Sequence, residues 1–261
     1  MNSVTELLRF LSQSHNRVAV LQALRSEEEL DRYVIEDRVD ASRRTVIRVV
    51  DSLTERGYVV ATDSGYRLTA LGSLILSLYE ELATDVSVAE RLSPFLSNMP
   101  AEWFDVDPRT LADEEMLVAT EASPYALIDR TLSLRREASY LRHMSPILEA
   151  KSVKQITERL ESGDTVRGEI VTSDDVLNTL REHPEYQKSY DLVQAADQLS
   201  LSVCVDPVPF MLCLTDDVVT VGVSKDGRPY AQIVSDHPAL WEWAETTFAS
   251  FRNQAVQPEE A

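Results

Sequence analysis

The sequence predicts an α+β protein in two parts: a helical N-terminal part ending in a β-hairpin, then a larger α/β part that finishes in an antiparallel meander and a closing helix. Three observations carry this. Apolar residues recur at i, i+3, i+4 and i+7 from Val4 to Leu53, the period switches to that of strands after Gly57, and beyond residue 110 strand-like and helix-like segments alternate.

Taken in order, Val4, Leu7, Leu8 and Leu11 share one helical face. A second helix follows His15, with Asn16 as N-cap and Val18, Leu21 and Leu24 in phase. Glu28 to Asp37 reads as a third helix that buries Leu30 and Val34 and stops near Val39-Asp40-Ala41. Ser42 caps a fourth, in which Val46, Val49, Val50 and Leu53 repeat the stripe and Gly57 supplies the stop. Tyr58 to Thr62 and Tyr66 to Leu68 are strands about an Asp63-Ser64-Gly65 turn, and Thr69 caps the next helix. Two short helices joined by a tight turn and followed by a hairpin predict a winged helix-turn-helix domain over residues 1–72.

Residues 73–109 read as a linker helix and junction. Leu74, Ile75, Leu78 and Leu82 line one stripe that continues toward Val86, and such a stripe packs between domains or against a second subunit; a homodimer is the expected state. The junction from Ser93-Pro94 to Pro108 holds Trp103 and Phe104. Over 110–254 the expected strands are Met116–Thr120, Tyr140–Met144 and Val166–Val171, and the helices are Tyr125–Arg136, Val153–Leu160 and a stretch over 174–196. A meander of Leu199–Val205, Phe210–Leu214, Val218–Val223 and Tyr230–Val234 follows. The last helix, capped by Asp236, buries Leu240, Trp241, Ala244, Phe248 and Phe251, and 255–261 is expected to be a disordered tail.

The charge is unevenly placed. The 261 residues carry 44 acidic and 25 basic side chains, a net of −19, and the basic set is 21 Arg and 4 Lys. Abundant acid with little Lys fits a protein of concentrated salt, since Lys exposes the hydrocarbon that such a surface does best to lose. Residues 1–72 have a net of −1 and the remainder −18, while 38–67 hold six Arg against four acidic residues. A basic segment on so acidic a chain calls for a polyanionic partner, and double-stranded DNA is the simplest. Arg44, Thr45 and Arg48 project from the fourth helix opposite its apolar stripe, as a major-groove reader requires. Ser42 and Arg43 lie at its start, within reach of phosphate or base edges, and Arg67 on the hairpin would meet backbone or minor groove. The bland alternatives are an Arg48–Asp51 surface ion pair and a protein-interaction module that keeps the winged helix without reading bases.

No run approaches the roughly 18 apolar residues of a membrane span, and the N-terminus lacks a signal-peptide pattern, so a cytoplasmic location and no membrane partner are expected. The four His stand apart, and neither a His-Glu-x-x-His set, a Gly-x-Ser-x-Gly elbow nor a phosphate-cradling Gly loop occurs; no catalysis, metal or cofactor is expected. For the α/β part a small-molecule effector site is the functional reading. Ligands settle at the carboxyl ends of sheet strands, which nominates Arg142, His143 and Ser145 after one strand and Thr172 and Ser173 after another, with loop caps as the alternative. Cys204 and Cys213, on strands read as neighbours, are buried thiols or a redox pair.

Several runs also resemble a known family. Asn16-Arg17-Val18, Ala41-Ser42-Arg43-Arg44-Thr45-Val46, Glu55-Arg56-Gly57-Tyr58 and Leu68-Thr69-Ala70-Leu71-Gly72 look like archaeal winged-helix transcription regulators. The later runs Pro209 to Asp217, Val219 to Val223, Asp226-Gly227-Arg228-Pro229 and Trp243-Ala244-Glu245 are similar to the methanogenesis-regulator type, common in haloarchaea. The resemblance implies a sequence-specific DNA-binding regulator whose C-terminal domain senses or dimerises. It implies no particular ligand.

Overall fold

A computed structural model describes residues 4–164, 166–204 and 206–258. The chain forms two compact units that meet in sequence between Ser87 and Val88.

The first unit holds α1 (Val4–Ser12), α2 (His15–Arg25), α3 (Arg32–Val39), α4 (Arg43–Glu55), β1 (Val59–Ala61), β2 (Tyr66–Leu68) and most of α5 (Ala70–Arg91). Leu11, Leu21, Leu24, Ile35, Val46, Val49, Val50 and Leu53 interlock as its core. The expected starts of two helices move. α2 begins after an extended Ser14, which places Asn16 inside the helix. α3 begins at Arg32 because the Asp31 carboxylate accepts the N–H groups of Tyr33 and Val34, and this later start makes Ile35, rather than Val34, the residue in the core. The segment released from the helix does other work: Leu30 pairs antiparallel with Tyr66 in an isolated bridge at the edge of the hairpin. Gly65 permits that approach, since a Cβ there would lie 2.2 Å from the Leu30 carbonyl oxygen. α3 ends on a left-handed Asp40 (φ 47°), and the chain turns directly into α4. The result is a winged helix-turn-helix.

The second unit contains α6 (Ser93–Leu96), two short 3-10 turns (Ala101–Trp103 and Pro108–Leu111), β3 (Glu115–Val118), α7 (Ala126–Arg135), β4 (Tyr140–Ser145), α8 (Ala150–Glu161), β5 (Arg167–Ser173), α9 (Asp174–Glu182) and α10 (Pro184–Gln194). β6 (Leu199–Cys204), β7 (Met211–Leu214), β8 (Val219–Lys225), β9 (Arg228–Ser235) and α11 (Pro238–Gln254) complete it. One seven-stranded sheet runs in the order β3-β9-β8-β7-β4-β5-β6; β4, β5 and β6 are mutually parallel and every other pair is antiparallel. Met144, Val171, Leu214, Val221 and Ile233 point to the face closed by α11 through Leu240, Ala244, Phe248 and Phe251. The opposite face carries α7 to α10, where Leu141 meets Ile156 and Leu201 meets Leu177. Asp216 anchors β4 by accepting from the Ser139 N–H at 2.6 Å, the Ser139 hydroxyl at 2.8 Å and the Tyr140 N–H at 3.0 Å.

Several expectations need correction. The strand begun at Leu199 is not part of the meander: it joins the parallel half beside β5, because the α9–α10 crossover returns the chain in the parallel sense. Its expected last residue, Val205, lies outside the described residues. Consequently β6 and β7 are separated by β5 and β4, three strand spacings or roughly 14 Å. Cys204 and Cys213 therefore do not neighbour one another and are too far apart to bridge. The helical stretch over 174–196 is two helices, broken where His183 turns extended before Pro184. α11 is capped by the His237 ring nitrogen, which accepts the Ala239 N–H at 3.1 Å, not by Asp236. Trp243 is the buried indole of that helix and Trp241 only partly so. The segment expected as a loose tail is tied down where described: Val203 and Val256 exchange N–H···O bonds of 2.9 Å, while 259–261 lie outside the described residues.

Candidate functional site

The first candidate surface is the outer side of α4. Its start is set by Ser42, whose hydroxyl accepts the Thr45 N–H at 3.3 Å and lies 3.0 Å from the Thr45 hydroxyl. Both hydroxyls are thus occupied in capping the helix. With Val46, Val49, Val50 and Leu53 turned inward, Arg43, Arg44 and Arg48 stand exposed on the other side, and Arg67 is exposed on β2. The ion pairs of this unit lie elsewhere: Arg25 binds Glu80, Arg32 binds Glu36 at 3.2 Å and Arg38 binds Glu27 at 2.9 Å. Among the described residues Arg43, Arg44 and Arg48 pair with no carboxylate, so the alternative Arg48–Asp51 bridge does not form, and Arg67 forms no salt bridge although the Glu29 charge acts on it.

Two further cations belong to this surface that the sequence reading passed over. Arg17 and Arg56 both lie over the Phe10 ring, each guanidinium 4.0 Å from its centroid. Burial, then the neighbouring charges of Arg48 and Arg56, push the Arg17 pKa down, which places three guanidinium groups in one field. The signal in the sequence was an Arg one place after a helix-starting Asn, but nothing local ties it to Arg48. The hairpin is pinned from behind by Glu29, whose carboxylate accepts the hydroxyls of Thr62 and Ser64; those bonds hold its pKa below the usual range.

The second candidate is a cavity of about 140 Å³ between the sheet and the α7–α10 layer. Side chains at matched register form a row across its floor: Ile170, His143, Cys213 and Thr220, on β5, β4, β7 and β8. Arg135, at the end of α7, roofs it. Leu127, Thr131 and Arg135 lie four residues apart on one helix face, so the guanidinium occupies an inward position and is only 2% exposed. Its Nη1 donates to the Ser152 hydroxyl at 3.3 Å, while Nε has no partner among the described residues. Glu149 acts on it from beyond ion-pair distance, its own carboxylate accepting the Ser152 N–H at 3.0 Å. Burial lowers the Arg135 pKa. Burial and the Arg135 charge push His143 down to about 3, so its ring is neutral, and burial raises the Cys213 thiol. Gln232 accepts the Thr131 hydroxyl at 3.1 Å through Oε1, and among the described residues its Nε2, Thr220 Oγ1 and His143 Nδ1 have no partner.

Of the five residues nominated for an effector, His143, Ser145 and Thr172 line this cavity. Arg142 and Ser173 do not, because successive residues of a strand point to opposite faces. Arg142 faces α11, where it binds Glu245 at 3.0 Å and lies 3.9 Å from Glu169. The Ser173 hydroxyl caps α9 by accepting the Val176 N–H. Ser145 and Thr172 are also committed locally, the first to the Ile147 carbonyl and the second to the Ser145 carbonyl. Arg135, Gln232 and Thr220 were missed; the sequence signal was a charged or amide side chain at an inward-phase position of an otherwise apolar element.

Comparison with known families matches residues 124–254 to the middle domain of the methanogenesis regulatory protein FilR1 and residues 5–91 to the HVO_A0261 N-terminal domain. The first match spans half of the chain. The chain belongs to the FilR1 family. It is thus a regulatory protein of the transcription-regulator type, built from an N-terminal winged helix and a FilR1 middle domain. No curated protein matches it significantly. Among solved structures, the archaeal chromatin protein TrmBL2 aligns over 97% of this chain and 99% of its own at 14% identity and a TM-score of 0.42. The transcriptional regulator PcaV of Streptomyces coelicolor, solved with its natural ligand, aligns over 38% of this chain and 82% of its own at 26% identity and a TM-score of 0.25. An O-methyltransferase family protein of Burkholderia thailandensis aligns over 77% and 64% at 12% identity and a TM-score of 0.23. These superpositions are too loose to carry functional meaning, and membership in the FilR1 family rests on the family matches. No described helix is long and apolar enough to cross a membrane.

Proposed function

We propose that this FilR1-family protein is a cytoplasmic, sequence-specific DNA-binding regulator rather than an enzyme, acting as a homodimer and answering to a small molecule held in its second unit. One observation carries the DNA reading. On a chain with 44 acidic side chains, Arg43, Arg44 and Arg48 on the recognition helix have no carboxylate partner among the described residues, and Arg67 on the wing forms no salt bridge there, feeling only the nearby charge of Glu29. Unpaired guanidinium groups on a helix of this kind are free to bond guanine O6 and N7 or phosphate oxygens. The capped start of α4 adds backbone N–H groups that favour phosphate.

The dimer reading is supported by α5. Leu71, Leu74, Leu78, Leu82 and Val86 recur every three or four residues along it and are all exposed, while Leu76 faces the core. A second copy of the same helix would cover this stripe and set two winged helices for half-sites roughly 34–36 Å apart. The expected stripe residue Ile75 is instead half-buried against the core.

The test is selection of bound sequences from a random duplex pool in concentrated potassium chloride, followed by binding of Arg44→Ala and Arg48→Ala to the selected site and to scrambled DNA. The expected result is loss of preference for the selected site in both variants. Selectivity unchanged by both substitutions refutes the assignment of α4 as the reader, and no enrichment at all favours a winged-helix protein-interaction module.

A further inference from the structure

We propose that the cavity roofed by Arg135 binds a small organic monocarboxylate, its carboxylate group on the Arg135 guanidinium and its apolar body against Leu127, Ile156 and Leu201. This rests on the reading that the second unit holds the effector, and it names the chemical class.

Four features converge. First, Arg135 carries a full charge at 2% exposure with no ion pair among the described residues. A charge in such surroundings is costly unless something compensates it, and its Nε–H is left without an acceptor. Second, three other buried groups lining the cavity lack a partner among the described residues: the Gln232 amide Nε2, which only donates, and the Thr220 hydroxyl and His143 Nδ1, each able to donate. A site with spare donors and few spare acceptors is complementary to an anion. Third, the remaining wall is mostly aliphatic, with Leu127, Ile128, Val153, Ile156 and Leu201 from α7, α8 and β6 beside a few hydroxyl side chains, which suits a hydrocarbon chain or ring and disfavours a heavily hydrated ligand. A cavity of about 140 Å³ compares with the ~150 Å³ that admits benzene.

The fourth feature fixes the charge. A single guanidinium matches a single negative charge, and Glu149 stands on the same wall. A phosphate monoester would bring two charges to one cation and set the second against Glu149. A carboxylate, planar like the guanidinium and able to accept from it at two oxygens, has the right charge and the right shape. His143, held neutral at physiological pH, contributes a hydrogen bond without adding a second positive charge.

The experiment is isothermal titration of the full chain with benzoate, phenylacetate and hexanoate, each compared with its primary amide at fixed potassium chloride concentration. At least one acid should bind, with its amide weaker by about tenfold or more, the loss of a charge-assisted pair. Arg135→Met should abolish acid binding and, by removing an uncompensated buried cation, melt no lower than the wild type; an Arg135 that served only to hold α7 to α8 would give a lower Tm. Should that variant not fold, the double substitution Thr220→Val, Gln232→Leu should weaken acid binding by about tenfold, since it removes two donors. No binding by any acid at millimolar concentration, amides equal to acids, or undiminished acid binding in these variants each overturns the proposal. Binding to the selected DNA site, measured on the same samples, separates failure of this inference from failure of the DNA reading.

Discussion

His143 ties the stability of the second unit to pH in a way that can be worked out in advance. Its ring is enclosed under the α7–α8 layer beside the Arg135 cation, and both influences favour the neutral form, to a pKa of about 3 against 6.5 when unfolded. The folded state therefore binds fewer protons than the unfolded state between these values, and stability rises with pH across that window. The contribution is fully present above pH 6.5 and is lost as pH falls toward 3. Between pH 7 and pH 4.5, two units below the unfolded pKa at 1.36 kcal/mol per unit, the expected loss is roughly 2–3 kcal/mol. Other groups near the ring are Arg135, always charged, Cys213, whose thiol burial keeps neutral, and Glu149 on the same wall, and the comparison with His143→Leu subtracts what they contribute. The assay is urea unfolding at both pH values for the wild type and His143→Leu, with the two-state slope checked. The wild type should lose that much more than the variant. Equal losses in the two proteins, or an imidazole proton resonance that titrates above pH 6, would refute the placement of a neutral His143 in the cavity.

Three more outcomes are expected. Gly65→Ala puts a methyl group 2.2 Å from the Leu30 carbonyl oxygen and should destabilise the first unit by about 1–3 kcal/mol, read by chemical unfolding, because the clash is with backbone and only separation of the Leu30–Tyr66 bridge relieves it. Ser42→Ala should cost about 1 kcal/mol and Ser42→Gly only a few tenths, the pattern of a lost N-cap; equal losses would deny the cap. Leu74→Glu with Leu78→Glu, at positions 56% and 52% exposed, should leave unfolding of the chain unchanged within ~0.5 kcal/mol yet convert the dimer to monomer in sedimentation, and an unaltered mass would show that α5 is not the dimer seam.

The winged helix was nearly complete in the sequence because its determinants are local. A four-residue apolar stripe, a Ser at the start of α4 and a Gly after its end specify a recognition helix without reference to anything distant. Where the reading slipped, at α3, the deciding event was not local: Leu30 is as apolar as any helix residue, and only Tyr66, thirty-six positions later, holds it in an extended bridge. The same contrast holds for the sheet. Each strand was legible from its own residues, but the position of β6 depends on a crossover of two helices, so the supposed neighbours Cys204 and Cys213 came apart.

The effector residues show the division most clearly. Arg142 and His143 were nominated together because both lie toward the carboxyl end of one strand, and strand alternation sends them to opposite faces. By itself the sequence determined the two-part architecture, the outward arginines of α4 and the concentration of acid in the rest of the chain, because helix period, capping and charge are properties of short stretches. Tertiary structure alone decided which arginines keep a carboxylate partner and which stay free. It also decided that Arg135, with no neighbour in sequence to mark it, shares one cavity with His143, Thr220 and Gln232, because burial and pairing depend on residues that meet only when the sheet and its helices close over one another.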